Sequence, residues 1–276
     1  MTAFPAAPRL HLVVELSARC LLEEDVRAFP VAPAEIIRRR GWRLRTYTHM
    51  ARRMSDSATI GDVAAMYAAQ DAFTSRHVPR GQAAAYLICY NDQIDVPERT
   101  SFSLAHEIGH ILLEHFDFGS QEELTPAQRR LLDQEANAFA ANLLAPAAII
   151  ARMRRPCREA DRLLFGLSKA GWQTRLSTLA QDGALLAEDT AARLRSQFAG
   201  YMYRRRCVRC GAIFTGRDAC PGCGGQELRW SPANACDGAF PWPDDAWTIR
   251  AASDPAMLEN PLADDALWHG DDRGSY

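Results

Sequence analysis

The sequence predicts a mainly helical α+β fold with a small sheet, followed by a small module organised by four cysteines. Three observations predict this class. Several long segments carry apolar residues at helical spacing, only short runs have the character of strands, and four of the eight cysteines fall between positions 207 and 223. A chain of 276 residues can bury one substantial core plus a small appendage, so both parts fit the length.

The candidate strands lie in the first third of the chain. Pro33 and Gly41 bound a short predicted helix. The alternation of Trp42, Leu44 and Thr46 predicts a strand directly after it. The other elements expected before residue 96 are a helical patch near 60–73, a second strand at 84–92, and a third short strand around Ile94 that would complete a hairpin.

Residues 101–115 predict a helix with one apolar face, in a region that ends at Gly119. Asp95 and Glu98 have the spacing of a capping box, and Pro97 is tolerated in the first turn. Apolar residues then recur at positions that share one face of a helix, which predicts that this face is buried: Phe102, Ala105, Ile108 and Leu112.

A second, longer helix is predicted between Thr125 and Pro146. Thr125 is the expected N-cap, Pro126 fits the first helical position, Gln128 completes a capping box, and Pro146 forces a break or a kink. Further helices are expected near 168–181 and 186–199. The buried face of the long helix is predicted to consist of Leu132, Ala136, Phe139, Ala140, Leu143 and Leu144.

The first of these helices contains the sequence H-E-x-x-H. His106 and His110 are four residues apart, so their imidazoles share one helix face and can bind one metal ion. Glu107 is displaced around the axis and can act beside the metal without being a ligand. Zinc lowers the pKa of its bound water to about 7, and a carboxylate can accept the proton, so the arrangement suits water activation.

The alternative interpretation of this motif is a structural pair of histidines with satisfied hydrogen bonds. The apolar residues around the motif argue against it, because they place the motif inside the protein, where unpaired histidines and a glutamate are costly. Metal ligation would satisfy these groups.

A catalytic zinc also needs a third protein ligand, commonly a glutamate from a following helix. Glu135 lies near the middle of the long helix, beside small alanines that permit a close approach. Its competitors Glu122, Glu123 and Asp133 resemble solvated charges at the helix start. Asp133 and Gln134 represent the structural alternative, in which the polar side chains of this segment simply face solvent. Spacing alone leaves the choice of the third ligand open.

The clustered cysteines form two C-x2-C pairs separated by nine residues, in CVRCGAIFTGRDACPGCGG. Each pair makes a tight turn that aims two thiolates at one tetrahedral zinc, and the glycines that follow permit a positive φ. With four cysteine ligands the site is closed, which predicts a structural zinc for a segment too short to build a core: Cys207, Cys210, Cys220 and Cys223. The same segment could contact a partner protein, pack on the first domain, or touch nucleic acid through its arginines.

Composition narrows the location and the partners. Paired cysteines of this kind favour metal over disulfides and hence a reducing, cytoplasmic compartment, and no apolar run approaches the length of a membrane span. After Trp230 nine acidic residues stand against two arginines, so a basic body carries an acidic tail. The basic residues form no dense stripe, and direct nucleic-acid binding is not expected.

Two long segments, ERTSFSLAHEIGHILLEH and DQEANAFAANLLAP, together resemble the ImmA/IrrE family of zinc metallopeptidases, which pair an A-H-E-x-G-H helix with an E-A-N-x-F-A helix ending in L-L-x-P. The resemblance continues through FPVAPAEIIRRRGWRLRTY, YLICYND and FGLSKAGWQTRLSTL, and covers most of residues 28–182. The chain departs from the family at Ser101, where relatives often carry arginine, and at Ala145, where they often have methionine.

The resemblance implies a zincin-like fold, with His106, His110 and Glu135 as zinc ligands and Glu107 as the general base. It implies a cytoplasmic endopeptidase that cleaves a helix-turn-helix repressor, often encoded beside it, and so relieves repression of a mobile element or a stress response. The sequence shows no helix-turn-helix of its own, so DNA binding would belong to the partner. The alternative is a non-catalytic zinc protein that sequesters the repressor.

The expected organisation has four segments and two zinc ions, one catalytic and one structural. The segments are an N-terminal extension (1–29), a zincin-like metallopeptidase domain (30–200), a zinc ribbon (204–230) and an acidic tail (231–276).

Overall fold

The structure, a computed structural model, describes residues 4–81, 83–119, 123–151, 159–199, 204–215 and 219–230. The described residues divide into two compact units, the first made of residues before 34 together with residues 96–230, and the second of residues 34–95. The predicted acidic tail lies outside the described residues. The predicted division into four segments stays a prediction.

The helices in chain order are α1 (Leu10–Glu23), α2 (Pro33–Arg39), α3 (Tyr47–Met54), α4 (Ile60–Met66), α5 (Pro97–Leu112), α6 (Pro126–Leu144), α7 (Ala147–Ile150), α8 (Glu159–Leu164), α9 (Lys169–Leu185) and α10 (Glu188–Gln197). The strands are β1 (Arg43–Thr46), β2 (Ala72–His77), β3 (Ala85–Tyr90), β4 (Arg204–Cys207), β5 (Ile213–Thr215) and β6 (Leu228–Trp230). The predicted mainly helical α+β class is confirmed.

The second unit contains a three-stranded mixed sheet in the order β1-β3-β2. β1 runs parallel to β3, and β2 pairs antiparallel with β3, so that Phe73 lies opposite Cys89. The strands predicted at 42–46 and 84–92 are confirmed. The strand predicted around Ile94 is wrong: residues 91–95 contain a turn and a bend but no strand. The antiparallel partner of β3 is β2, which begins at the end of the predicted helical patch.

A compact apolar cluster supports this sheet from α3 and α4. Tyr47 and Val63 are fully buried against Phe73 and Cys89. The Tyr47 hydroxyl donates to the carbonyl of Ala69 at 3.1 Å, which satisfies the polar end of an otherwise buried ring.

The first unit is built around the packed pair α5 and α6. Ile108 of α5 and Phe139 of α6 are both fully buried. At Gly109 the two helices approach so closely that an added Cβ would lie 3.1 Å from Phe139. This close approach brings polar groups of α6 next to the histidines of α5.

Helix α1 packs on α6, and also on α9 and α10. Its inner face is fully buried at Val13 and Leu21. Residues 10–23, part of the predicted N-terminal extension, therefore belong to the core of the first unit.

The helix ends show which local signals were correct. Thr125 and Gln128 form the predicted capping box of α6, with Pro126 as its first residue, and α6 ends before Pro146. The box predicted from Asp95 and Glu98 is wrong: the N-cap of α5 is Val96, and no side chain caps it. The helices expected near 168–181 and 186–199 correspond to α9 and α10.

The last described segment is a small antiparallel sheet in the order β5-β4-β6. Among the described residues, no helix is both long and apolar enough to cross a membrane.

Candidate metal centre

The two histidines of H-E-x-x-H face each other on α5. Their Nε2 atoms are 2.9 Å apart, as expected for residues one helical turn apart with converging side chains. The other ring nitrogen of His106, Nδ1, lies 2.9 Å from the Oδ1 atom of Asn137 on α6. The α5–α6 packing thus sets the orientation of the His106 ring.

Asp133 is the carboxylate that the structure brings to the histidine pair. Its Oδ1 atom lies 3.6 Å from Nε2 of His110. The side chains of His106, His110 and Asp133 each offer a ligand atom within 4.8 Å of the others. Asp133 precedes Asn137 by four residues, so both project from the face of α6 that meets the histidines.

This donor set fits a divalent cation such as zinc. A neutral imidazole carries one N–H and one lone pair. Because Asn137 Oδ1 accepts the Nδ1 proton of His106, the lone pair of that ring sits on Nε2 and points toward His110. Two imidazole nitrogens and a carboxylate oxygen form a common zinc ligand set that leaves a coordination position open.

Burial disfavours protonation at this site. The pKa of His110 is held well below its usual range, first by burial and then by the neighbouring His106 and His115. A neutral His110 keeps a lone pair available for a metal ion.

Glu107, the predicted general base, follows His106 on α5. Its side chain is buried, with 7% of its surface exposed. Glu107 is thus more shielded from solvent than His106 and His110, which are half-buried.

Glu135, the third ligand implied by the family resemblance, is not brought to the facing Nε2 atoms in this arrangement. Its fully buried carboxylate accepts hydrogen bonds from the backbone N–H of Arg9 at 2.5 Å and from Arg9 Nη2 at 2.6 Å. On the same carboxylate, Oε2 lies 3.0 Å from Nε2 of His115. The assignment of Glu135 as a zinc ligand stays a prediction, and Asp133 is the candidate that the geometry favours.

Glu135 is ionised despite its burial. Burial raises its pKa, but the hydrogen bonds from His115 and Arg9 outweigh this effect and lower the pKa to about 2. The charge is thus stabilised by specific partners.

His115 lies five residues past His110 in the chain, a spacing that on a continuous helix predicts a charge at the helix end pointing away from the histidine pair, and the structure shows that this prediction is wrong. α5 ends at Leu112, and Glu114 adopts a left-handed conformation with φ 58°. This turn directs His115 back into the protein, where it is 3% exposed and its Nδ1 lies 2.9 Å from Nδ1 of His110.

The four ribbon cysteines converge as predicted. Sγ of Cys207 lies 3.5 Å from that of Cys223, Sγ of Cys210 lies 3.4 Å from that of Cys220, and all four lie within 4.8 Å of one another. All are free thiols. Convergence of four thiols without disulfide bonds fits a tetrahedral zinc site.

The two C-x2-C turns share one backbone pattern. In the first, Cys207 accepts from the N–H of Gly211 and donates to the carbonyl of Ala212; in the second, Cys220 accepts from Gly224 and donates to Gly225. The prediction that glycine supplies a positive φ is confirmed, because Gly211 has φ +74° and Gly224 has φ +67°.

Comparison with known families agrees with this geometry. Residues 60–177 match the family model Peptidase_M78, described as the IrrE N-terminal-like domain. This segment belongs to the ImmA/IrrE family. A search of curated proteins found no match.

The ImmA/IrrE match covers H-E-x-x-H, Asp133 and Glu135, and so places a metallopeptidase-type domain around the histidine pair. The match ends before the four-cysteine segment, which is an addition to the matched domain. The four clustered cysteines are consistent with a zinc ribbon.

The sequence did not assign four residues to the site: Arg9, His115, Asp133 and Asn137. Asp133 and Asn137 carried one usable signal, since polar residues four apart on the second helix can face the same partner helix. Arg9 lies 126 positions from Glu135 in the chain. No local pattern links such distant residues.

Proposed function

We propose that this chain is a zinc-dependent endopeptidase. The observation that carries the proposal is the convergence of His106 Nε2, His110 Nε2 and the Asp133 carboxylate in a segment that matches a peptidase family. In this proposal those three side chains hold the metal. The ribbon cysteines hold a second, structural zinc.

When bound, zinc supplies Lewis-acid chemistry that polarises the scissile carbonyl and makes water a better nucleophile at neutral pH. Glu107 accepts the proton of the attacking water and delivers it to the leaving amine. His106 and His110 contribute through fixed orientation. Asn137 supports this role by holding the Nδ1 proton of His106, so that the ring cannot rotate without losing a hydrogen bond.

The proposed substrate is a helix-turn-helix repressor, whose cleavage relieves repression in a mobile element or a stress response. This choice rests on the family resemblance. We also propose a cytoplasmic location, supported by the four convergent free thiols, which a reducing compartment preserves.

The test uses the helix-turn-helix protein encoded nearest to this chain as substrate. Glu107→Gln removes the base but keeps a side chain of similar shape, so cleavage should fall by about 100-fold to 10,000-fold. The variant should still contain two zinc ions per chain and melt at the parent temperature. Gel analysis of the cleavage products and metal analysis of the same samples measure both quantities.

Two outcomes overturn the proposal. Undiminished cleavage by Glu107→Gln would remove Glu107 from catalysis. A parent protein that binds the repressor tightly without cutting it would identify a sequestering regulator instead.

A further inference from the structure

A network of buried polar contacts connects His110 to Arg9 in the N-terminal segment. His110 Nδ1 lies 2.9 Å from His115 Nδ1, and His115 Nε2 lies 3.0 Å from Glu135 Oε2. Arg9 completes the network, because its backbone N–H and its guanidinium both donate hydrogen bonds to the Glu135 carboxylate. His115 and Glu135 are almost completely buried, so water does not compete for these contacts.

The Glu135 carboxylate determines which atom donates and which accepts at each contact of this network. Both oxygens of Glu135 accept hydrogen bonds from Arg9, as a carboxylate paired with a guanidinium does, so the group is an acceptor and His115 must donate to it from Nε2. The Nδ1 atom of neutral His115 is then an acceptor, which requires that His110 donate from its own Nδ1. The lone pair of His110 is thereby placed on Nε2, the atom that faces His106.

The reverse assignment is unfavourable. If Nδ1 of His115 donated to His110, its Nε2 lone pair would face the Glu135 carboxylate at 3.0 Å unless the ring carried a second proton. That second proton would add a cation in a buried place where the guanidinium and the backbone N–H of Arg9 already donate to the same carboxylate.

Arg9 holds the Glu135 carboxylate in place. Its Nη2 group also donates to the carbonyl of Leu113 at 3.2 Å, just beyond the end of α5, and its guanidinium lies over the ring of Phe118 at 5.3 Å. One guanidinium therefore joins Glu135 of α6 to the segment that carries His115.

We propose that Arg9, Glu135 and His115 are positioning residues that fix His110 with its Nε2 lone pair toward the metal. The inference rests on the proposed function, because it assigns these residues to the same metal site. In this proposal Glu135 is not a ligand itself: it orients the ligand His110 through His115.

The test measures the dissociation constant of the second Zn²⁺ equivalent by competition with a chelator, in the full chain with the ribbon zinc retained. His115→Leu leaves the Nδ1 proton of His110 without an acceptor and should weaken this constant by about 10-fold to 100-fold. His115→Asn offers a carboxamide oxygen to the same proton and should restore affinity to within about threefold of the parent.

Asn142→Leu is the matched control for loss of buried polar contacts. Asn142 is buried on α6, where it bonds to Asp182 and Arg175, and not to the histidines. It should lower the melting temperature without changing Zn²⁺ affinity. Equal affinity in His115→Leu and the parent would overturn the proposal.

Glu135→Gln separates positioning from ligation. The glutamine carbonyl can still accept from His115, so two zinc ions per chain are expected. Retention of only the ribbon zinc would make Glu135 a ligand and overturn the proposal, as would a parent chain that binds no second zinc.

A spectroscopic measurement on the unmodified protein gives the same decision without any substitution. In the Zn²⁺-loaded protein, ¹⁵N spectra of the imidazole rings should show His110 protonated at Nδ1 and His115 at Nε2. Opposite tautomers would overturn the proposal. Both measurements are independent of cleavage, so a failure of the proposed protease activity leaves their outcome intact.

Discussion

The two candidate metal centres of this chain are held in place by different means. The histidine site stands on two long helices whose facing side is fully buried at Ile108, Phe139 and Leu143. The cysteine site stands on turns between three short strands. Among the ribbon residues whose side chains the structure describes, the buried ones are Cys207 and Cys220, which are themselves candidate ligands.

This difference separates the roles that a metal ion would have at each centre. At the histidine site the apolar core holds the ligands whether or not a metal is bound, so binding contributes chemistry more than folding. In the ribbon the four thiols occupy the place of a core, so binding and folding are one event. A chelator should therefore unfold the ribbon and leave the helical part intact.

Loss of a ribbon ligand should have the largest effect. Cys207→Ser removes one of four thiolates, and because structural zinc in small modules contributes on the order of 10 kcal/mol, residues 204–230 should lose their fold. Limited proteolysis should cut this segment, while the melting transition of the helical part stays at the parent temperature. Val208→Ser, at an exposed position of the same turn, is the control. A lowered melting temperature of the helical part would contradict the separation.

Loss of Asp133 should remove a metal and spare the fold. Asp133→Asn keeps the shape of the side chain, which is 55% exposed, so unfolding free energy should change by less than about 1 kcal/mol. Zinc affinity at the histidine site should fall on the order of 100-fold or more, and metal analysis after dialysis should give one zinc per chain. Asp189→Asn, an exposed carboxylate on α10, should keep two. Two zinc ions in Asp133→Asn would exclude Asp133 as a ligand.

A change at the helix contact should have the smallest effect and should touch only one centre. Gly109→Ala puts a methyl group 3.1 Å from Phe139, so α5 and α6 must separate slightly. Overpacking of this kind destabilises by about 1–3 kcal/mol. The higher helix propensity of alanine offsets up to about 1 kcal/mol of this loss. Thermal unfolding and zinc affinity at the histidine site should both decline, with the ribbon unaffected.

Gly183→Ala provides the matched control for this substitution. On α9 the added methyl would meet its nearest neighbour, Ala147, only at 4.0 Å. It should leave stability unchanged or raise it by up to about 1 kcal/mol. A destabilised Gly183→Ala with an unaffected Gly109→Ala would show that helix packing does not govern the histidine site.

The helical frame of the site was predictable because its signals are local. The capping box at Thr125 and the break at Pro146 mark the ends of α6, and apolar spacing marks its buried face. The third strand was misplaced for the converse reason. Pairing of β2 with β3 depends on partners across a loop, and the run around Ile94 was too short to carry a period.

The sequence by itself determined the class of fold, the two histidines one helical turn apart, and the cysteine ligands of the ribbon. These features depend on spacings of a few residues, which helices and tight turns convert directly into distances. The tertiary structure decided which carboxylate meets the histidines, and that His115 turns inward at Glu114 to join Glu135 and Arg9. Those contacts depend on which faces of α1, α5 and α6 pack together, and residues far apart in the chain set that packing jointly.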